Sequence, residues 1–282
     1  MELFTAVLLD TIADSVRMLP FLFGAYLLLE ALEHYSSAFI SRTLKKINKA
    51  GPLVGSLFGC IPQCGFSVMA SNLYAGGVIS IGTLLSVFLA TSDEAILILL
   101  GNPGRGKDIL WLLITKIIIA ITAGYVADLL LSGKITSQKQ MGNLCAHCGC
   151  HDHKGILIPA LNHTFKLFLY IFVCSGVLNF LIEAFGLESI AAVLLSDSLL
   201  QPALAALIGF IPNCAASVIL TQLYLGGALS FASVIAGLCT NAGVGLIVLF
   251  RVNKNRKENI KILGLLYVIS VIAGMILSFM SI

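Results

Sequence analysis

Two short steps in the sequence combine a helix breaker with a soft ligand. They are Ile61-Pro62-Gln63-Cys64 and Ile211-Pro212-Asn213-Cys214, each in the middle of an apolar stretch. Proline lacks a backbone donor and clashes with the preceding turn, so a helix breaks there. A thiol exposed at such a break is a soft ligand, suited to soft metals and metalloids. With the serine that follows each step, the candidate substrate-binding residues are Pro62, Gln63, Cys64, Ser67, Pro212, Asn213, Cys214 and Ser217. Free cysteine is also a common small packing residue, which is the reading for Cys174 and Cys239. Cys60, one turn before Cys64, stands between the two readings. Ser67, Ser217, Asn72 and Gln222 could equally serve helix–helix hydrogen bonds.

A second chemistry sits in the apolar run LLSVFLATSDEAILILL, which contains Asp93-Glu94. An ionisable group inside a membrane segment is costly and is by default functional. Ser92, Asp93, Glu94 and Asn241 are therefore the candidate ion-coupling residues. The competing structural reading is an ion pair, for example with Lys116 in the next helix. Glu30, Glu33, Asp128 and Glu183 lie near span ends, where solvation is the expectation.

A third cluster packs three Cys and three His into nine residues: Cys145, His147, Cys148, Cys150, His151 and His153. The C-x-x-C, C-x-C and H-x-H spacings match thiolate and imidazole ligand sets for Zn²⁺ or softer ions. No cofactor is expected beyond a metal ion bound there. The alternative is a linker whose Cys and His are incidental.

The elements that position these groups follow from composition. The 282 residues are 58% hydrophobic and 11% charged, and the mean hydropathy is +0.99. A soluble domain carries about 45–50% apolar and about 25% charged residues. An ordinary soluble enzyme is excluded, and the net charge of +3 gives no field for nucleic acid. The eight Cys lack the pattern of a secreted disulfide scaffold, so reduced thiols are expected. The stretch before Arg17 lacks a basic start and a small-residue cleavage site, and does not read as a signal peptide.

Runs near the ~20 residues needed to cross a bilayer are Met18–His34, Val78–Leu100, Ile109–Leu131, Phe165–Phe185, Ala228–Phe250 and Ile260–Phe279. Gly51–Gly76 and Gln201–Gly226 are the interrupted pair. Offsetting the chain by 150 aligns GCIPQCGFSVMASNLYAGGVIS with GFIPNCAASVILTQLYLGGALS, and 12 of 42 positions over 59–100 are identical. Pro52 also falls on Pro202. The matches of Asp93-Glu94 are Gly243-Val244, so the charge is not part of the repeat.

Basic loops mark the cytoplasmic side. Residues 39–50 hold Arg42, Lys45, Lys46 and Lys49, whereas the matching 186–201 hold only Glu188 and Asp197. Residues 251–261 hold five Lys or Arg, against Arg105 and Lys107 in 101–108. That alternation argues for inverted repeats. Each half of an interrupted segment, at about 12 residues, is too short to span alone, which favours a re-entrant hairpin. The expectation is an all-α polytopic membrane protein of two inverted-topology repeats, each with about three spanning helices and a broken or re-entrant hairpin. Its units are a first repeat (1–132), a cytosolic Cys/His-rich linker (133–160) and a second repeat (161–282), with both termini outside.

The hairpins IPQCGFSV and IPNCAASV, the runs SNLYAGG and TQLYLGG, the TSDEA step, the Cys/His linker and LFRVNKN near the end resemble one family over nearly the whole chain. It is the ten-helix heavy-metal exporter family, whose members carry names of arsenic efflux permeases or manganese transporters. The resemblance implies an exporter in the inner or plasma membrane of a prokaryote and selects Pro62, Gln63, Cys64, Ser92, Asp93, Glu94, Pro212, Asn213 and Cys214. No Walker A sequence occurs, so a secondary transporter is expected rather than an enzyme. Its partners would be a metal or metalloid ion, H⁺ or another coupling cation, and the lipid bilayer, with no nucleic acid and room for a homo-oligomer. The competing readings are a carrier of a non-metal solute, such as a sulfur anion or lipid-linked phosphate, and a membrane thiol redox protein.

Overall fold

The computed structural model describes residues 50–62, 65–101, 106–131, 200–212 and 214–280, with scattered positions between 12 and 27 and between 157 and 180. Most of Met18–His34, of Phe165–Phe185 and of the linker lies outside them, as do Glu30, Glu33, Cys174 and Glu183. Ten helices are delimited among the described residues. They are α1 (Gly51–Gly59), α2 (Gly65–Ala75), α3 (Ile81–Ala90), α4 (Asp93–Leu100), α5 (Gly106–Leu131), α6 (Gln201–Gly209), α7 (Cys214–Leu225), α8 (Phe231–Thr240), α9 (Val244–Val252) and α10 (Arg256–Phe279). The chain is an all-helical, polytopic membrane protein.

Local sequence explains most boundaries. Pro52 and Pro202 stand in the first turns of α1 and α6, where a missing N–H costs nothing. Ser80 and Ser230 cap α3 and α8, their Oγ atoms accepting from the N–H of Thr83 and Ser233, which satisfies one orphan donor of each helix. Gly77 (φ 74°) and Gly227 (φ 77°) end the turns after α2 and α7 in left-handed backbone, which glycine adopts without the Cβ clash.

α3 and α8 form the centre. All ten residues of α3 are buried, and in α8 only Phe231 is not. A helix apolar on every face has to be enclosed in this way or to face lipid. α5 and α10 lie outside them. Each buries a single stripe at four-residue spacing, Leu112, Lys116, Ala120 and Gly124 on α5 and Ile262, Leu266, Ser270 and Gly274 on α10. Their other faces expose Trp111, Ile114, Ile118, Val268, Ile272 and Ile276. Both are long and apolar enough to cross a membrane, as are the runs Ile81–Leu100 and Phe231–Val252.

Small residues set the closest approaches. A Cβ built on Gly51, Gly55 or Gly59 of α1 would meet Thr83, Thr83 and Val87, or Val87 and Ala90 of α3. α1 and α3 therefore run in the same direction, and both end at the same level. α2 then returns to the turn 76–80 from which α3 starts. At about 1.5 Å per residue, the nine residues of α1 and eleven of α2 reach only part of the way across a bilayer. α6 repeats the arrangement against α8. Gln201 bonds to the carbonyl of Ala228 and accepts from Ser230 N and Ser233 Oγ at the start of α8, and Gly209 sits against Gly237 and Thr240 at its end.

The sequence leads one to expect single unbroken spans at Val78–Leu100 and Ala228–Phe250. Both are interrupted. α3 gives way to α4 at Thr91-Ser92, and α8 to α9 at Asn241-Ala242-Gly243. The freed backbone groups find local and distant partners. Ser92 Oγ donates to the carbonyl of Ala90, and Asn241 Oδ1 accepts from Gly243 N at 3.0 Å. Gly243 has φ 55° and ψ −143°, backbone open in practice only to glycine.

Candidate functional site

The breaks and the hairpin ends converge at the centre. Gly59, the last residue of α1, abuts the Val87 carbonyl and Ala90, one turn before the first break. Thr240 Oγ1, just before the second break, donates to the carbonyl of Ala206 in α6 at 2.7 Å. α3 and α8 pack on each other, α2 packs on α9, and α7 on α4. The centre thus collects the C-terminal ends of α1, α3, α6 and α8 and the N-terminal ends of α4 and α9. Helix C-termini present unpaired carbonyls and partial negative charge, and N-termini the reverse. Non-helical backbone at membrane depth is tolerated where protein encloses it or where it lines a wet cavity.

Lys116 is the group that joins the two breaks. It is fully buried on α5. Its Nζ donates to the carbonyl of Thr91 at the end of α3 and to the carbonyl of Leu238 in the last turn of α8, at 2.8 Å. Its charge acts on Cys60 and on Cys239. Cys60 is half-buried and packs against the core, while Cys239 is wholly buried within it. Both are free thiols. The packing role expected for Cys239 is the one its surroundings give it.

The described candidates take different positions. Ser92 is buried within the first break and Asn241 within the second. Ser67 is buried against Gly245 of α9, and Ser217 is buried on α7, where its carbonyl accepts from Thr221 Oγ1. Pro62 is exposed and Pro212 partly exposed at the ends of their hairpin arms. Phe58 and Phe66 pack across the first tip with their rings tilted by 33° and centroids 5.6 Å apart. Gln63, Cys64 and Asn213 lie outside the described residues, as do the side chains of Asp93, Glu94 and Cys214. So do Cys145, His147, Cys148, Cys150, His151 and His153. Among the described residues, no three His, Cys, Asp or Glu side chains group as a metal site.

Asp128 departs from the expectation of a solvated span end. Its carboxylate accepts from Ser80 Oγ and Gly82 N, both at 2.8 Å, and so holds the start of α3, where a negative charge opposes the helix dipole favourably. Lys116 was visible in the sequence as the cation inside the apolar body of α5, beyond Lys107 in its first turn, and the rule that flagged Asp93 and Glu94 applies to it equally. Asn72 is a further buried polar group. Its Nδ2 donates to Val68 O, and its Oδ1 has no hydrogen-bond partner among the described residues.

A family described as "Putative, 10TM heavy-metal exporter" matches the chain in two overlapping segments, 4–199 and 186–281. The chain belongs to this family. The family supports a multi-pass membrane protein that transports a metal. No curated protein and no solved structure matches the chain.

Proposed function

We propose that this protein is a secondary-active exporter of a heavy metal or metalloid ion, an arsenical or a divalent metal such as Mn²⁺. The ion binds near mid-membrane between the two Pro-x-Cys tips, at Pro62, Gln63, Cys64, Ser67, Pro212, Asn213, Cys214 and Ser217. Ser92, Asp93, Glu94 and Asn241, at the two helix breaks, couple its movement to a proton or cation gradient. The Cys145–His153 cluster takes up a metal ion on the cytosolic side. No catalytic step is involved.

The observation that carries this reading is the meeting of two interrupted helices at one buried cation, Lys116. Transporters with inverted repeats use broken helices at the midplane to bind substrate and coupling ion. Two contacts support the inversion. Tyr74, at the end of α2, donates to Glu258 Oε1 at the start of α10. α8 starts beside the end of α10, where Gly274 meets Ala232 and Ala236, at the opposite end of α10 from Tyr74, which adjoins the turn where α3 starts. The two halves then enter from opposite faces and swap outward and inward openings by rocking about the centre. Thiols at the tips favour a soft ion, and carboxylates at the break a harder one.

The test is a metal and metalloid sensitivity panel in a host lacking the gene, with the wild-type protein, Cys64→Ala and Asp93→Asn. The wild-type protein should lower accumulation of one ion, and both variants should lose that protection. If no ion's accumulation differs between the host with and without the protein, the exporter reading fails.

A further inference from the structure

The carbonyls that Lys116 engages both belong to ends of broken helices. Thr91 closes α3, and Leu238 lies in the last turn of α8. The two residues are on opposite halves of the chain, and the ammonium donates to both. In transporters built on broken helices, unwound carbonyls and half-helix C-termini are the places that hold a coupling Na⁺ or H⁺. The same electrostatics operate here, since aligned peptide dipoles leave negative charge at a helix C-terminus. What occupies the position is a side-chain cation tethered to α5.

The repeat sharpens the point. The residue matching Lys116 at the 150-residue offset is Leu266, also fully buried. Among the described residues, the second half thus has no cation at the matching position, and one ammonium reaches both breaks. Asp93-Glu94 is likewise matched by Gly243-Val244, so at the matched positions the charged groups belong to the first half.

We propose that Lys116 is a built-in cation that locks the two halves together at their breaks, and that its proton is the coupling ion. The proposal rests on the transporter reading and deepens it, naming H⁺ rather than Na⁺. In one orientation the ammonium holds the carbonyls of Thr91 and Leu238. It then gives a proton to water on the side to which the centre opens, and the neutral amine releases the carbonyls. A proton taken from water on the other side restores the ammonium and the lock. Among the described elements packed against α5, the ionisable groups are few. α3 carries none, Cys60 follows α1, α8 carries Cys239, and α4 begins with Asp93 and Glu94, which stand two and three residues after Thr91.

The experiment uses the full chain in lipid nanodiscs as wild type, Lys116→Ala and Lys116→Met. Lys116→Ala should lower the midpoint of thermal unfolding. Na⁺ or ethylammonium should restore it by filling the vacated cation position, whereas choline at the same ionic strength should not. A midpoint equal to wild type, or an equal response to all three salts, overturns the lock. Lys116→Met fills the space without charge and covers the case in which Lys116→Ala does not fold. With it, maleimide modification of Cys239, followed by peptide mass spectrometry, should be at least tenfold faster than in wild type, and an unchanged rate overturns the lock. These readouts need no substrate, so they stand apart from failure of the exporter reading. For coupling, wild-type proteoliposomes given gradients of Mn²⁺, Cd²⁺ or arsenite should show proton counterflow that Lys116→Met abolishes. Counterflow retained in Lys116→Met, counterflow that requires Na⁺, or none in wild type overturns the coupling role.

Discussion

Ser71 on α2 donates its hydroxyl to the carbonyl of Gly245 on α9 at 2.7 Å, across 174 positions of sequence. Ser71 also donates to Ser67 O at 2.8 Å, and Ser67 itself lies against Gly245. The hairpin of one half is thereby fastened to the broken helix of the other.

This contact leaves no room for a side chain at Gly245. An added Cβ would lie 2.7 Å from the Ser67 side chain and 2.9 Å from its backbone. Gly245→Ala should cost about 1–3 kcal/mol, the usual range for overpacking. Ser71→Ala removes a hydrogen bond but no volume conflict arises, so it should cost about 0.6 kcal/mol, a typical value between membrane helices. Thermal unfolding of the two variants in the same detergent gives the order, and a larger loss in Ser71→Ala would contradict it.

Gly209 and Gly227 separate close approach from backbone conformation. A Cβ at Gly209 would stand 2.0 Å from the Gly237 carbonyl, which is backbone and cannot swing aside. Gly209→Ala should abolish well-folded protein on size-exclusion chromatography. Gly227 faces open space at φ +77°. Gly227→Ala should cost about 1–2 kcal/mol from the left-handed backbone alone, and Gly227→Asn less, since asparagine tolerates that region.

Tyr74 and Glu258 tie the end of α2 to the start of α10. Glu258 is 8% exposed and its N–H is capped by Asn255 Oδ1. A hydrogen bond to a charged group contributes about 1.5–3 kcal/mol. A double-mutant cycle of Tyr74→Phe and Glu258→Gln should therefore give a coupling energy above about 1 kcal/mol. Additive losses would mean that the two side chains act independently.

The linker cluster predicts metal uptake separable from folding. Replacing Cys145, Cys148 and Cys150 together by serine should lower the stoichiometry of Cd²⁺ binding to the purified protein by at least one ion while leaving its unfolding midpoint unchanged. An unchanged stoichiometry would place that ion elsewhere. Because thiolate ligands must lose protons to bind, uptake should release protons and weaken as pH falls.

Much of the architecture was legible in the sequence. Apolar runs marked α5 and α10 to within a few residues, and Pro62 and Pro212 marked the interruptions between α1 and α2 and between α6 and α7, because proline removes a donor wherever it falls. The 150-residue repeat announced paired elements, and the Ser80 and Ser230 caps and the turns at Gly77 and Gly227 obey it atom for atom. The G-x-x-x-G-x-x-x-G run from Gly51 to Gly59 was equally readable as a helix-packing face, and is one.

Only the tertiary structure decided what happens at the centre. Thr91-Ser92 contains no proline or glycine and, with Asp93-Glu94, forms a short polar step in an otherwise apolar run, so hydropathy still reads the whole run as one span. A helix can end there because the carbonyl of Thr91 is met by Lys116, 25 positions on, and that partnership is invisible to any local rule. The same ammonium reaches Leu238, 122 positions on. Sequence determined which segments enter the membrane and where proline interrupts them, since those depend on transfer free energy and local backbone chemistry. Which helices break without proline, and which lone charge bridges the breaks, depends on groups that meet only when the chain is folded.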